Sequence, residues 1–157
     1  MTQKIKNLIE QHVDLIENND FETLFNYCSA NKDQGELADV LLSAGINFLD
    51  HIDYISSFMF MNSRIKRLVI PNNIKRIGMG AFFSCDNLTS VVIPESIEEV
   101  GIRIFSKCKN LYHIRYLGTK EQFKRLNFVK EHFEYTPVET IFCSDGSIEL
   151  SELRGQR

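Results

Sequence analysis

Residues 65–87 read IKRLVIPNNIKRIGMGAFFSCDN, and residues 88–110 read LTSVVIPESIEEVGIRIFSKCKN. Laid over each other without a gap, they agree at Val69 with Val92, Ile70 with Ile93, Pro71 with Pro94, Ile74 with Ile97, Gly78 with Gly101, Phe82 with Phe105, Cys85 with Cys108 and Asn87 with Asn110. Conservative pairs extend the match: Ile65 with Leu88, Leu68 with Val91, Ile77 with Val100. A period of 23 residues marks a stacked supersecondary unit rather than a self-sufficient domain. A third copy starts at Leu111, where Leu111, Ile114 and Tyr116 take the places of Leu88, Val91 and Ile93, and the pattern gives way at Gly118.

Each unit has a physical reading. Leu88, Val91 and Ile93 supply the inward side chains of a short strand, while Ser90 and Val92 point out. Pro94 has no backbone donor and ends the strand, after which Ile97 and Val100 return to the same core. Gly101 is expected to make the next bend. Phe105 and Cys108, a large residue and a small one, fill the far side, and the Asn110 amide closes the turn. One coil cannot bury its own apolar edges, so coils must stack at about 4.8 Å strand spacing. Stacking places Lys75 opposite Glu98 and Arg76 opposite Glu99, surface pairs worth well under ~1 kcal/mol each.

These units resemble BspA-type leucine-rich repeats, whose pattern is a strand ending in Ile-Pro, an apolar-x-x-apolar-Gly stretch, then Ala-Phe and a Cys near the unit end. Gly78 to Cys85 follows that form closely, and Ile104 departs from it where Ala is usual. The resemblance spans about residues 65–118, and the stretch from Tyr116 to Phe123, with Gly118-Thr119 leading into a helix, is similar to the tail of some members. It implies an α+β fold built as a short leucine-rich-repeat solenoid of stacked parallel strands, and a role in binding. Adhesin function, known for exported members with many repeats, is not expected of a chain with few repeats and no signal segment.

The ends of such a stack need covers. Ile5, Leu8, Ile9, His12, Leu15 and Ile16 recur at helical spacing and predict one helix from about Lys4 to Glu17. Asp20 is placed to cap a second, with Leu24, Phe25 and Cys28 on its apolar face. A third runs from Gln34 to Ala44 and stops at Gly45. Phe48 to Met61 is too apolar to stand in water, so Phe58, Met59 and Phe60 are expected to dock on the first coil. Beyond the repeats, Thr119 caps a helix holding Phe123 and Leu126. Asp145-Gly146 predicts a two-residue turn between strands at Glu139–Cys143 and Ser147–Leu150, and Ser151 to Arg157 is expected to fray. The domains are therefore an N-terminal helical cap over 1–63, the solenoid over 64–118, and a C-terminal helix-plus-hairpin cap over 119–157.

Charge is uneven. Residues 1–63 carry 3 Lys and Arg against 10 Asp and Glu, a net −7, and residues 64–157 carry 15 against 11, a net +4. Chemistry is sparse. Cys28, Cys85, Cys108 and Cys143 make no CxxC pair, no glycine-rich phosphate loop occurs, and His12, His51 and His132 have no ligand spacing, so neither metal nor cofactor is expected. Cys85 and Cys108 with His113 suggest a thiol site only weakly, because the repeat needs small inward residues at both cysteines. Glu131, His132 and Glu134 are an equally weak catalytic trio. No enzyme is expected.

What remains is the outward strand face. Lys66, Arg67 and Val69 on one coil, Thr89, Ser90 and Val92 on the next, then Tyr112, His113 and Arg115 form a basic, partly aromatic strip suited to an unidentified protein partner. The leading expectation is a cytoplasmic, non-enzymatic protein–protein interaction module without a membrane segment. A phage or mobile-element product that binds and blocks a host protein is one form of it. Nucleic-acid binding through the strip is disfavoured by the acidic N-terminal part, and homotypic assembly through an uncovered sheet edge is the other alternative, so monomer or homo-oligomer stays open.

Overall fold

The computed structural model describes residues 1–28 and 31–153. Four helices come first: α1 (Gln3–Gln11), α2 (Val13–Glu17), α3 (Phe21–Asn26) and α4 (Asn31–Ser43). The single helix expected from Lys4 to Glu17 is broken at His12, whose backbone leaves the helical region at φ −129° while its ring stacks on Tyr27 at 3.9 Å. The stripe of apolar residues is continuous through the break, so periodicity alone could not show it. The Asp20 carboxylate accepts the Thr23 N–H at 3.2 Å and caps α3, as its position predicts. Helix α4 starts a few residues before Gln34. It ends in a paired-hydrogen-bond motif: Gly45 N–H donates to the Leu42 carbonyl and Ile46 N–H to the Leu41 carbonyl, with Gly45 at φ 78°.

Strands then alternate between two sheets. β1 (Tyr54–Ile55), β3 (Arg76–Ile77) and β5 (Glu99–Val100) form a three-stranded parallel sheet in that order. β2 (Arg67–Val69), β4 (Ser90–Ile93) and β6 (His113–Tyr116) lie parallel in a second sheet, which β7 (Thr140–Cys143) and β8 (Gly146–Glu149) extend to five strands. Leu68, Val91 and Ile114 are in register, as the 23-residue offset requires. Helix α5 (Lys120–Arg125) lies between β6 and β7 and starts in a full capping box, Thr119 with Gln122.

Between the sheets, one side chain per coil makes a column. Phe48, Phe60, Phe82, Phe105 and Phe133 stack with ring centroids 5.8, 5.1, 5.3 and 6.0 Å apart. All five are buried. Three residues after each of the last four Phe comes a small residue, Ser63, Cys85, Cys108 or Thr136, whose N–H donates to that Phe carbonyl. The residue just before it is left-handed every time: Asn62, Ser84, Lys107 and Tyr135 have φ between 57° and 64°. The repeat geometry thus reaches back to Phe60, before Arg64, and forward to Thr136, beyond Gly118. The 23-residue comparison stops short at both ends because those steps are 22 and 28 residues long.

Several details differ from expectation for local reasons. Gly101 has no left-handed φ. A Cβ there would lie 2.4 Å from the Met79 nitrogen, and one at Gly78 would lie 2.5 Å from that of Ser57, so these glycines let one coil touch the backbone of the coil before it. In the closing hairpin Cys143 pairs with Gly146, which puts Ser144 and Asp145 in the loop and Gly146, at φ 137°, just after it. Leu150–Glu152 make a 3-10 turn and Leu153 is buried, so the expected fraying from Ser151 does not begin there; residues 154–157 lie outside the described residues.

The small polar contacts follow the repeat. Lys75 Nζ lies 3.6 Å from Glu98, one period away, and Lys109 Nζ lies 3.3 Å from Asp86, again one period away. Arg76 is opposite Glu99 in register, with its guanidinium carbon 4.8 Å from the Tyr54 ring centre. Asn110 Nδ2 donates to the Asp86 carbonyl at 2.6 Å, the turn-closing role expected of it.

Candidate functional site

Strand alternation sorts the five-stranded sheet into an apolar inner surface and an exposed outer one. Leu68, Val91, Ile114, Ile141 and Ile148 face in and are buried. On the outer surface one row runs across the strands as Val69, Val92, Arg115, Phe142 and Ser147, and a second starts as Arg67, Ser90 and His113. Lys66 and Tyr112 come just before their strands and stand exposed at the rim, with Thr89 half-buried between them. The residues singled out from the sequence are thus neighbours on one surface.

Phe142 was missed. It lies beside Arg115 in register, 52% exposed, and with Val69 at 67% it makes the outer row more apolar than the sequence indicated. A signal existed: if Ile141 faces in, Phe142 must face out. What the sequence did not supply was the pairing of β7 with β6. Between β4, β6 and β7 lies an open cleft of about 450 Å³, lined by Ser90, Val92, His113, Arg115, Phe142 and Cys143. At the β8 end the Thr140 hydroxyl donates to the Glu149 carboxylate at 3.0 Å. The cations of this face are Lys66 and Arg67 at β2 and Arg115 on β6, with none from β4.

The thiols are structural. Cys85 Sγ donates to the Phe60 carbonyl at 2.9 Å and Cys108 Sγ to the Phe82 carbonyl at 3.0 Å, so each cysteine ties its coil to the one before. The neighbouring Cys108 thiol and then burial hold the Cys85 thiol far above its ordinary value. His113 is exposed on the opposite side of the sheet and forms no dyad with them. Burial likewise pushes the Cys28 thiol up to about 11 and raises that of Cys143, which keeps both protonated.

The trio at Glu131, His132 and Glu134 is divided by burial. His132 is 3% exposed beside Phe128 and Phe133, whereas both glutamates are exposed. Burial lowers the His132 pKa to about 4, and the nearby Glu131 offsets only part of that. Its Nδ1 has no hydrogen-bond partner. Among the described residues no three His, Cys, Asp or Glu side chains are grouped to hold a metal ion, and no helix is long and apolar enough to cross a membrane.

The model of the BspA-type leucine-rich repeat region, described with six copies, matches residues 42–149. The chain belongs to this family. The BspA-type match takes in the coil on Phe60, the coil on Phe133 and the β7–β8 hairpin, all outside the 23-residue self-comparison. Comparison with curated proteins and with solved structures gives no match. Leucine-rich repeats of this kind are in general protein-interaction modules and typically not enzymes.

Proposed function

We propose that this protein is a non-enzymatic binding module whose partner protein docks on the outer surface of the five-stranded sheet. The observation that carries the reading is the row Val69, Val92, Arg115 and Phe142, which sets the exposed Val69 and Phe142, the half-buried Val92 and a guanidinium side by side on a rigid surface. Large apolar area next to Arg is the composition of interface centres, and side chains held by strands lose little freedom on binding. Lys66, Arg67, Ser90, Tyr112 and His113 complete the surface. The helices at the N-terminal end and the hairpin at the other act as covers for a short solenoid, and the acidic N-terminal part offers a second, weaker contact region. The four thiols fit a reducing compartment such as the cytoplasm.

The test is affinity capture from a lysate, comparing wild type with Arg115→Glu and Phe142→Ser, with nuclease-treated controls. Loss of a protein partner in both variants supports the face. A partner kept by both moves the site to the acidic helices, and recovery that depends on nucleic acid replaces the reading with phosphate binding. A finer form, a phage or mobile-element product that blocks a host protein, predicts that the captured partner loses activity on binding.

A further inference from the structure

The two sheets do not start at the same coil. Among the described residues, the stretch before Arg64 supplies β1 to the three-stranded sheet and no strand to the five-stranded one, whose order begins at β2. One period before Leu68 is Gly45, where the chain is still completing the end of α4. A strand position next to β2 is therefore left open.

Three features show that the opening is real. In a parallel strand the N–H and C=O of alternate residues point to alternate sides. Lys66 accepts from Thr89 N–H at 2.8 Å and Ile70 donates to the Val92 carbonyl at 3.0 Å, so the even residues serve β4 and the N–H and C=O of Arg67 and Val69 face the open side. The core also thins there: Leu68 is 8% exposed while its ladder mates Val91, Ile114 and Ile141 are at 0–1%, and Ile65 is half-buried where its equivalents Leu88 and Leu111 are fully buried. Finally, an open groove of about 1230 Å³ lies between α4 and the residues that lead into β2, with Asp33, Glu36, Asp39, Val40, Arg64 and Ile65 along it.

We propose that the free edge of β2 accepts an extended acidic–apolar segment of a partner protein as an added strand. The charge of the edge selects the occupant. Arg64, Lys66 and Arg67 are exposed along it, and among the described residues none of them is in an ion pair. The groove's three carboxylates already have partners within the chain: Asp33 pairs with Lys4 at 2.5 Å, Glu36 accepts from the Thr2 hydroxyl at 3.0 Å, and Asp39 accepts from the Ser63 hydroxyl and the Arg64 N–H at 2.5 and 2.9 Å. A second copy of β2 would bring like charges together, the device by which edge strands resist pairing with themselves. An incoming strand with a carboxylate beside Arg67 and an apolar side chain over Leu68 satisfies the open backbone groups, the cations and the thin core together. The edge shares Lys66, Arg67 and Val69 with the outer face, but the open backbone groups of β2 lie in the plane of the sheet, so the proposal stands without docking on that face.

The probe is a blocked pentapeptide of alternating glutamate and valine, compared with its lysine–valine counterpart, and the readout is amide hydrogen exchange resolved by residue. The glutamate peptide should slow exchange at Arg67 and Val69 by at least about ten-fold, and the lysine peptide should not. Val69→Pro removes only the outward-facing donor; it should keep the wild-type circular dichroism and weaken the glutamate peptide at least about ten-fold, with Val69→Ala close to wild type. Arg67→Glu, which keeps every backbone donor, should weaken it as well. Arg115→Glu, two strands away, should change it less than about two-fold, so failure of the outer face and failure of the edge are read separately. Unchanged exchange at Arg67 and Val69, equal binding of both peptides, or full binding by a folded Val69→Pro overturns the proposal. Protection that grows with protein concentration and no peptide also overturns it, by making a second copy the occupant.

Discussion

The step from Phe82 to Phe105 and the step from Phe105 to Phe133 produce the same contact from different lengths of chain. The ring centroids are 5.3 and 6.0 Å apart and the ring planes 12° and 16° apart, yet the first step is 23 residues and the second 28. The longer step makes a detour through α5, where Phe123 is buried against Tyr116 and Phe128. Stacking fixes where a side chain must be in space, and the chain between two such points is free to vary so long as it buries its own apolar groups. The regular coils are held by repetition; the last coil is held by a small core of its own.

The largest effect that would break this comparison is loss of a ring from the column. Phe105→Ala, with rings on both sides, should lower stability by about 3–5 kcal/mol, measured by urea denaturation. Phe133 has Phe105 on one side and Phe128, at 5.9 Å, on another, so Phe133→Ala should cost a similar amount, about 3–5 kcal/mol. A much smaller loss at Phe133 would mean that the last coil is less interlocked than the others.

Acid should act on the last coil first. His132 titrates near 6.5 when unfolded and near 4 when folded, so its contribution is fully present above pH 6.5 and is lost as pH falls from 6.5 to 4, by on the order of 3 kcal/mol. His132→Leu should flatten the stability profile across that window. A profile equally steep in the variant would place the acid sensitivity elsewhere.

The glycines sharpen the contrast further. Gly101→Ala drives a Cβ into the Met79 backbone and should cost about 1–3 kcal/mol. At Gly118, in the last coil, the obstacles are side chains rather than backbone, the Gln122 Oε1 held in the capping box and the buried Tyr116 ring, both 2.7 Å from the added Cβ, so Gly118→Ala should also cost about 1–3 kcal/mol in a thermal melt. The smallest expected effect is Thr119→Ala, which removes the cap of α5 and about 1 kcal/mol with it. If α5 is an accommodated detour, this loss should leave the Phe82–Phe105 coils protected in hydrogen exchange.

Much of this was legible from residues 65–110. The parallel register, the Lys75–Glu98 neighbours, the inward cysteines and the Asn110 turn all follow from one offset applied to every position. The outer-face residues were legible for the same reason, since alternation decides their side once the strand is placed. Phe142 was not, because β7 reaches its place beside β6 after an interval that has no counterpart in the first two coils. Nor was the break at His12, where a ring contact with Tyr27 replaces helical backbone inside an unbroken apolar stripe.

From its sequence alone, this protein is a stack of short parallel strands with a basic outer strip, because an apolar pattern repeated at a constant interval has one economical burial. Only the tertiary structure decided how far the stack runs, since a coil is defined by the contact it makes and not by its length. It alone decided that the glycines serve close approach, which depends on the backbone of another coil. It also decided that β2 has an open side, because an edge is the absence of a neighbour and no residue of β2 encodes what lies beside it.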